Sequence, residues 1–352
     1  MTADFTKKLL LWYDTHKRSL PWTATKDPYK IWLSEIILQQ TRVEQGTPYY
    51  FKFIKKYPTV FKLAAAPIDE VIKNWEGLGY YSRARNLHHA AKEIVHVHKG
   101  IFPDNYLVVI KLKGIGKYTA SAILSYAFGL PYAAIDSNAI RIITRYYGIA
   151  ESVQSLSGKN KIELYAQKIL DKKQPGLFNQ AMMDFGSLIC KPKNPECVNC
   201  PLNKNCFAYN NDSVALFPVK ETKIKRRLRY FNYLVFISGK KILITNRNAN
   251  DIWKNLYQFP LIESKKNFTK EQLIREENYN NMITRKPSKI YVSDIFTQQL
   301  THQTLKTRFF VLEMADLSDI ALEEVIKIPV SGLKKYAFPG VIRDFLQRNT
   351  YF

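Results

Sequence analysis

Cysteine is scarce: the 352 residues contain four, and all fall within the 17-residue stretch from Cys190 to Cys206. So tight a cluster is no disulfide framework, and thiols stay reduced in the cytosol, where this chain is expected. Long apolar runs are also missing. No window of 18 or more apolar residues exists, so no segment reads as a membrane-spanning helix. The run Leu9-Leu10-Leu11-Trp12-Tyr13 is cut short by Asp14, His16, Lys17 and Arg18, too soon for a secretory signal. There is no internal repeat and no low-complexity tract. Negative charge is in short supply: 30 Asp and Glu face 53 Lys and Arg, a formal net charge of +23. A uniformly solvated basic surface is the plainer reading of that excess, and a polyanion partner, nucleic acid above all, is the sharper one. The expected location is the cytoplasm, at the nucleoid, or the nucleus of a eukaryotic cell.

Hydrophobic residues make up 46% of the chain, enough for a folded protein with about two domains. Up to about Tyr209 the pattern is helical. Asp27-Pro28 reads as an N-cap followed by proline at the first helical position, and Asp69 and Pro103-Asp104 read as further starts. Lys220, Lys223, Lys225, Arg226, Arg227 and Arg229 stand against a lone Glu221 and read as a solvated basic linker in reach of phosphate. Beyond it, Tyr230–Ile237, Lys241–Thr245, Lys289–Phe296 and Leu305–Leu312 read as strands, with a closing helix near Val341–Arg348.

The four cysteines are spaced C-x6-C-x2-C-x5-C among turn-forming residues, so four thiolates can wrap one centre. Structural zinc with four cysteines usually shows two short knuckles, and only Cys197/Cys200 forms one. Three unequal gaps suit the corners of a [4Fe–4S] cubane better, with zinc as the alternative.

Two carboxylates are placed for chemistry. The helix from Pro28 to Gln40 is apolar nearly all round, so it is buried, and Glu35 interrupts it. Burial should raise its pKa and make it a neutral proton donor, unless a core arginine pairs with it. Asp136 precedes the amphipathic stretch Ala139–Tyr147, where an aspartate is an ordinary N-cap, but one that N–H donors hold ionised. One carboxyl driven neutral and one held charged divide into acid and anionic stabiliser. Gly114-Ile115-Gly116-Lys117-Tyr118, between two apolar helical stretches, allows a tight turn and a phosphate at the next helix start, though a plain turn looks similar. Gly77 to Asn86 mixes glycines, tyrosines and arginines that are either core or a wedge and clamp for DNA.

In their order these segments resemble the helix-hairpin-helix base-excision glycosylases. The resemblance rests on Leu20-Pro21-Trp22, Ser34-Glu35, Gln39-Gln40-Thr41, Gly77 to Tyr81, the Gly114/Gly116 hairpin, Asp136, Phe178 to Asp184 and the cysteine loop. Gln39-Gln40-Thr41 and Phe178-Asn179-Gln180-Ala181 are similar to the MutY-type adenine DNA glycosylases in particular. The resemblance spans essentially the whole chain. Leu256-Tyr257-Gln258-Phe259-Pro260 and Tyr336-Ala337-Phe338-Pro339 resemble that family's Nudix-like domain.

The resemblance implies an N-terminal all-α helix-hairpin-helix glycosylase fold with an iron–sulfur cluster loop over residues 1–215, with a six-helix subdomain at about 28–133 and a cluster subdomain of 1–27 plus 134–215. A basic linker, 216–229, and a C-terminal α+β Nudix-like domain, 230–352, complete it. The implied partner is double-stranded DNA with adenine opposite 8-oxoguanine or guanine, bound by a monomer. Glu35 would protonate the base, Asp136 would stabilise the sugar cation, and Tyr118 and Asn138 would orient carboxylates and water. Gln180 would meet the flipped adenine. Gln40 and Tyr80 would wedge into the duplex beside Thr41, with Gly114, Gly116 and Lys117 on phosphate. Thr301-His302 would read the opposite base, and Cys190, Cys197, Cys200 and Cys206 would hold a [4Fe–4S] cluster.

Some residues depart from the family. Ser137 stands where glycine is usual, Thr23 where many relatives carry arginine, and no Nudix box of Arg-Glu-x-x-Glu-Glu type is present, so the last domain should bind without hydrolysing. The rivals are an endonuclease III-like glycosylase/lyase and a catalytically silent DNA-binding protein. The lyase group has a lysine where Tyr118 stands and a histidine where Asn138 stands. Purified protein is expected to be brown, with about four irons per chain. Metal analysis that returns one zinc and no iron would overturn the cluster.

Overall fold

The computed structural model describes residues 2–220 and 226–349. Glu221, Lys223 and Lys225 of the basic run lie outside the described residues, as do the last three residues. The chain divides into two compact units, one of residues 2–66 and 86–220, the other of 67–85 and 226–349.

The helices follow in chain order: α1 (Thr2–His16), α2 (Pro28–Leu38), α3 (Val43–Lys56), α4 (Val60–Ala65), α5 (Ile68–Trp75), α6 (Ser82–His98), α7 (Tyr106–Val109), α8 (Lys117–Phe128), α9 (Ser137–Tyr147), α10 (Leu156–Ile169), α11 (Pro175–Leu188) and α12 (Phe207–Asn210). Local chemistry explains several ends. The Asp27 carboxylate accepts from the Tyr29 N–H at 3.0 Å, with Pro28 next in line, and so starts α2 as expected. Two expected starts move. Asn105 rather than Asp104 caps α7, its Oδ1 accepting from Leu107 N at 2.9 Å. Pro67 precedes α5, which places Asp69 in the first turn, where its charge favours the helix dipole.

Within the first unit α2 packs on α8, and α11 packs on α1, α8 and α9. Ile31, Trp32, Leu33, Ile36 and Ile37 of α2 are all buried, as the apolar pattern requires. A second core joins Phe5, Leu9 and Trp12 of α1 to Ile142, Ile143 and Tyr146 of α9 and Phe185 of α11.

The second unit is built on an eight-stranded mixed sheet. At its centre β1 (Arg227–Ser238) runs parallel to β7 (Gln303–Glu313), and β2 (Lys241–Asn246), β3 (Tyr257–Gln258), β4 (Leu261–Ser264), β5 (Lys289–Val292), β6 (Phe296–Gln299) and β8 (Val325–Pro329) extend it. The expected strand at 289–296 is two strands, broken between β5 and β6. Side chains alternate across β1: Phe231, Tyr233 and Val235 meet α15 (Gly340–Arg348), while Leu234 and Phe236 face α13 (Lys270–Ile274) and α14 (Glu277–Asn281).

Two boundaries differ from the expectation. The linker ends sooner, because β1 begins at Arg227, and Arg229 is 8% exposed instead of solvated. Residues 67–85, expected in the six-helix subdomain, belong to the second unit. Lys73 Nζ donates to Tyr336 O at 2.8 Å, Phe338 N donates to Glu76 Oε1 at 3.0 Å, and Arg85 Nη1 donates to Lys254 O at 2.6 Å. Bonds between residues this far apart in sequence leave no local trace. Among the described residues, no helix is long and apolar enough to cross a membrane.

Arg229 anchors an ion network. It grips Glu263 and Asp251 with two hydrogen bonds each, and Arg247 Nη2 shares Asp251 at 2.6 Å. Both guanidiniums lie over the Phe231 ring. Asp251→Ala leaves both guanidiniums, each more than nine-tenths buried, short of an acceptor. It should destabilise this unit by ~2–3 kcal/mol, at or below the low end for a broken buried pair because Glu263 still holds Arg229. Urea unfolding checks it, and a loss under ~0.5 kcal/mol would show that the network contributes little.

Candidate active site

Four helices of the first unit bring one site together. Glu35 comes from the middle of α2, Tyr118 from the first turn of α8, Asp136 caps α9, and Gln180 lies in α11. Among the described residues, no arginine pairs with Glu35. It is 6% exposed, and burial raises its pKa to about 7, against the Tyr118 hydroxyl, which lowers it, and with the Asp136 charge, which raises it further. The Tyr118 and Tyr126 hydroxyls, kept un-ionised first by burial and then by the charges around them, feel both carboxylates. Tyr118 also donates to Met183 Sδ at 3.3 Å.

Glu35 forms one wall of a cleft of about 140 Å³ with Tyr13, Trp22, Lys26, Tyr126 and Gln180. Aromatic faces beside an amide and a carboxyl suit a flat heteroaromatic ring. Gln180 Nε2 donates to Asp184 Oδ1 at 3.2 Å, and Asp184, fully buried, is gripped by Arg18 through Nε at 3.0 Å and Nη2 at 2.7 Å. The Gln180 amide is thereby turned to a fixed orientation. Thr23 lines the same cleft, but its hydroxyl donates to Leu20 O at 2.8 Å.

Asp136 caps α9 and lies close enough to Glu35 to act on it electrostatically. Its Oδ1 accepts from Ala139 N at 2.8 Å and its Oδ2 from Asn138 Nδ2 at 2.7 Å. Burial pushes the Asp136 pKa up, against these donors and the Arg141 charge, which lower it. Asn138 is held in turn by Arg141, whose Nη2 donates to Asn138 Oδ1 and to Gly186 O, each at 2.7 Å, and whose Nε donates to Cys190 O at 2.7 Å. A Cβ on Gly186 would stand 2.4 Å from Asn138 Cβ, so only glycine admits this approach. Tyr126, Arg18, Asp184, Arg141 and Gly186 were not singled out as site residues. Arg141 follows Asn138 by three residues on a helix, a detectable spacing. Arg18 lies 166 residues from Asp184 and gives no such signal.

The hairpin joins α7 to α8. Gly114 has φ 84° and a Cβ there would meet Asn86 Cβ at 2.8 Å, so glycine is required twice over. Gly116 is the N-cap of α8 and faces open space, leaving the helix N-terminus clear for a phosphate. Lys117 Nζ pairs with Glu163 at 2.9 Å on the surface, a weak bond that a phosphate can exchange. Gln40 and Tyr80 both hold left-handed backbone, at φ 56° and 46°, which non-glycine residues avoid unless their surroundings impose it. Thr41 follows Gln40, its backbone N–H donating to Leu38 O at 3.1 Å. In the second unit Thr301 and His302 are exposed at the β6–β7 turn, a hairpin tip rather than a strand end, and Thr301 Oγ1 shares a 2.7 Å hydrogen bond with the Tyr80 hydroxyl.

The four cysteines are partly buried and line one hollow with Arg145, Tyr146 and Leu202. Arg145 Nη1 lies 3.5 Å from Cys190 Sγ and donates to Lys191 O at 2.8 Å. Burial pushes the Cys200 thiol up to about 12, and the neighbouring cysteines add to it, so four thiolates need a strongly cationic centre to coexist. Among the described residues no three His, Cys, Asp or Glu converge as ligands of a single ion.

Residues 33–172 match the HhH-GPD superfamily of base excision DNA repair proteins, and residues 232–348 match the NUDIX domain. An adenine DNA glycosylase of Buchnera aphidicola subsp. Baizongia pistaciae (strain Bp) is 38% identical over 315 residues, 86% of this chain and 84% of that one. The chain belongs to the adenine DNA glycosylase family. A solved thermostable thymine-DNA glycosylase shares 31% identity and a TM-score of 0.56 over 60% of this chain and 97% of its own. Endonuclease III in a non-covalent DNA complex shares the fold, with a TM-score of 0.52 at 21% identity, over 60% of this chain and 98% of its own. Membership in the adenine DNA glycosylase family agrees with the hairpin. Tyr118, not a lysine, stands beside the carboxylates, and Lys117 points to the surface.

On the reading of Glu35 as proton donor, excision should fall as pH rises through about 7. The folded carboxyl binds its proton more tightly than the unfolded one, so its stability contribution is full below the usual carboxylate range and is lost as pH rises through about 7. Glu35→Gln should cut excision by ~10²–10⁴-fold and yet melt higher than the parent at pH 8. Retained excision, or a lower melting temperature at pH 8, would remove Glu35 from this role.

Proposed function

We propose that this base-excision DNA glycosylase removes adenine paired with 8-oxoguanine or guanine in duplex DNA by hydrolysis of the N-glycosidic bond, without cutting the strand. The observation that carries the reading is the near-neutral Glu35 carboxyl beside Asp136 in a cleft of base-sized aromatic walls. Adenine in a stack is out of reach, so the nucleotide flips into that cleft, with Gln40 and Tyr80 taking up space in the duplex. Gln180, held by Asp184, meets the base edge.

Glu35 gives its proton to adenine N7. The C1′–N9 bond then breaks, its electron pair leaves with the base, and positive charge develops on the sugar. Asp136 faces that charge as a carboxylate and stabilises it. Water adds at C1′ and loses a proton to Glu35, which resets the acid. Asn138, held by Arg141, keeps Asp136 aimed. Tyr118 stands where the lyase group carries its lysine, and Lys26, which lines the cleft, spends its Nζ on Tyr126 O at 2.9 Å; both support hydrolysis over lyase chemistry. Cys190, Cys197, Cys200 and Cys206 would hold a [4Fe–4S] cluster, which as a structural group shapes the basic loop of Lys191, Lys193 and Lys204 for phosphate.

The second unit would read the opposite base. 8-Oxoguanine carries an N7–H donor where guanine has only an acceptor, and the Thr301 hydroxyl can accept from it. Duplexes with one adenine opposite 8-oxoguanine or guanine test both claims. Cleavage only after alkali is expected, and cleavage without alkali would show a lyase. No product from either duplex would favour a silent binder. Thr301→Ala should narrow the preference for 8-oxoguanine by ~1–3 kcal/mol, and equal losses on both duplexes would take recognition away from Thr301.

A further inference from the structure

The second unit holds a cleft of about 610 Å³, which extends beyond Thr301. One side is the Gly77–Arg85 segment, tied across by the Tyr80–Thr301 hydrogen bond. Another is the Asp251–Trp253 loop, fixed through Asp251 by Arg229 and Arg247 and carrying Trp253 at φ 63°. Gln298, Gly340 and Arg343 complete the lining.

Two polar atoms here are shielded from solvent and have no partner among the described residues: Arg343 Nε and Gln298 Oε1. A Cβ on Gly340 would sit 3.3 Å from Gln298 Nε2 and 3.9 Å from Arg343 Nη2, so both side chains lie against the bare start of α15. Asp251 is the only acid lining the cleft, and two other arginines already share it, so no lining carboxylate is left to neutralise Arg343. A shielded donor, Arg343 Nε, without a partner among the described residues calls for a ligand or water, and a planar guanidinium matches phosphate.

We propose that Arg343, with Gln298 Nε2 as a second donor, binds a backbone phosphate of the strand opposite the adenine. The proposal rests on the reading of Thr301 as the opposite-base contact. It adds a positioning contact that holds that strand in register without reading its sequence.

The test uses the full chain and duplexes with 2′-fluoro-2′-deoxyadenosine opposite 8-oxoguanine or guanine, because the fluorine disfavours the sugar cation and blocks excision. Affinity is measured from 50 to 200 mM salt. Losing one phosphate contact lowers the slope of log affinity against log salt by about 0.9. Arg343→Gln should therefore make the loss of affinity across that range about 3.5-fold smaller than in the parent. The effect should be equal on both duplexes, and Arg343→Lys should restore the slope. Arg343→Met gives the same reading if glutamine disturbs folding, which a melting curve monitors. Gln298→Ala should weaken binding with the slope unchanged. An unchanged slope in Arg343→Gln and Arg343→Met, or a loss confined to the 8-oxoguanine duplex, overturns the phosphate contact. Thr301→Ala separates the two claims: if it leaves the preference intact while Arg343→Gln lowers the slope, the lesion reading fails and the phosphate contact stands.

Discussion

Burial of a single carboxyl on a helix that is apolar on nearly every side sets the terms for the first unit. α2 must be enclosed to shield Ile31, Trp32, Leu33, Ile36 and Ile37, and α8 packs on it. Enclosure carries Glu35 into a place where ionisation is costly, and among the described residues no arginine comes to relieve it. The neighbours that do come are hydroxyls, Tyr118 and Tyr126, and a second carboxylate, Asp136. The proton affinity that acid catalysis needs near neutral pH is thus a by-product of packing.

Order at Asp136 comes from the opposite device, a chain of directed bonds. The helix cap fixes one oxygen, Asn138 the other, Arg141 fixes Asn138, and the same guanidinium reaches Cys190 O at the head of the cysteine loop. Gly186 makes the close approach possible by having no side chain. A loop rich in half-buried thiols therefore has a mechanical line to the second carboxylate through helix α9. Electrostatics alone would leave Asp136 free to turn; the bonds give it one orientation.

The second unit spends its buried charge differently. Arg229 and Arg247 enclose Asp251 over Phe231, and the pair fixes the loop that follows β2 against the strand that carries Arg229. Opposite that loop the β6–β7 turn presents Thr301, bonded to Tyr80 from the 67–85 segment. A sheet with packed faces on both sides leaves its loops as the sites of recognition, as rigid scaffolds generally do.

Much was legible because it is local. The Asp27-Pro28 start, Asp136 as a cap, the glycines of the hairpin and the alternation along β1 follow from backbone and side-chain preferences within a few residues. The cysteine spacing and the order of motifs pointed to the family, and Glu35 stood out because a charge on an apolar helix must be explained. Tertiary structure alone decided the rest. Asp104 lost its place as a cap to Asn105, and Arg229 read as linker because charge suggests solvent, whereas two distant carboxylates drew it inside. Residues 67–85 joined the second unit through bonds to residues 254, 336 and 338, and Arg18 found Asp184 from 166 positions away. Helix caps and strand alternation depend on neighbours in the chain, so the sequence determines them. Charge burial and hydrogen-bond partners depend on neighbours in space, and only the packed fold chooses those.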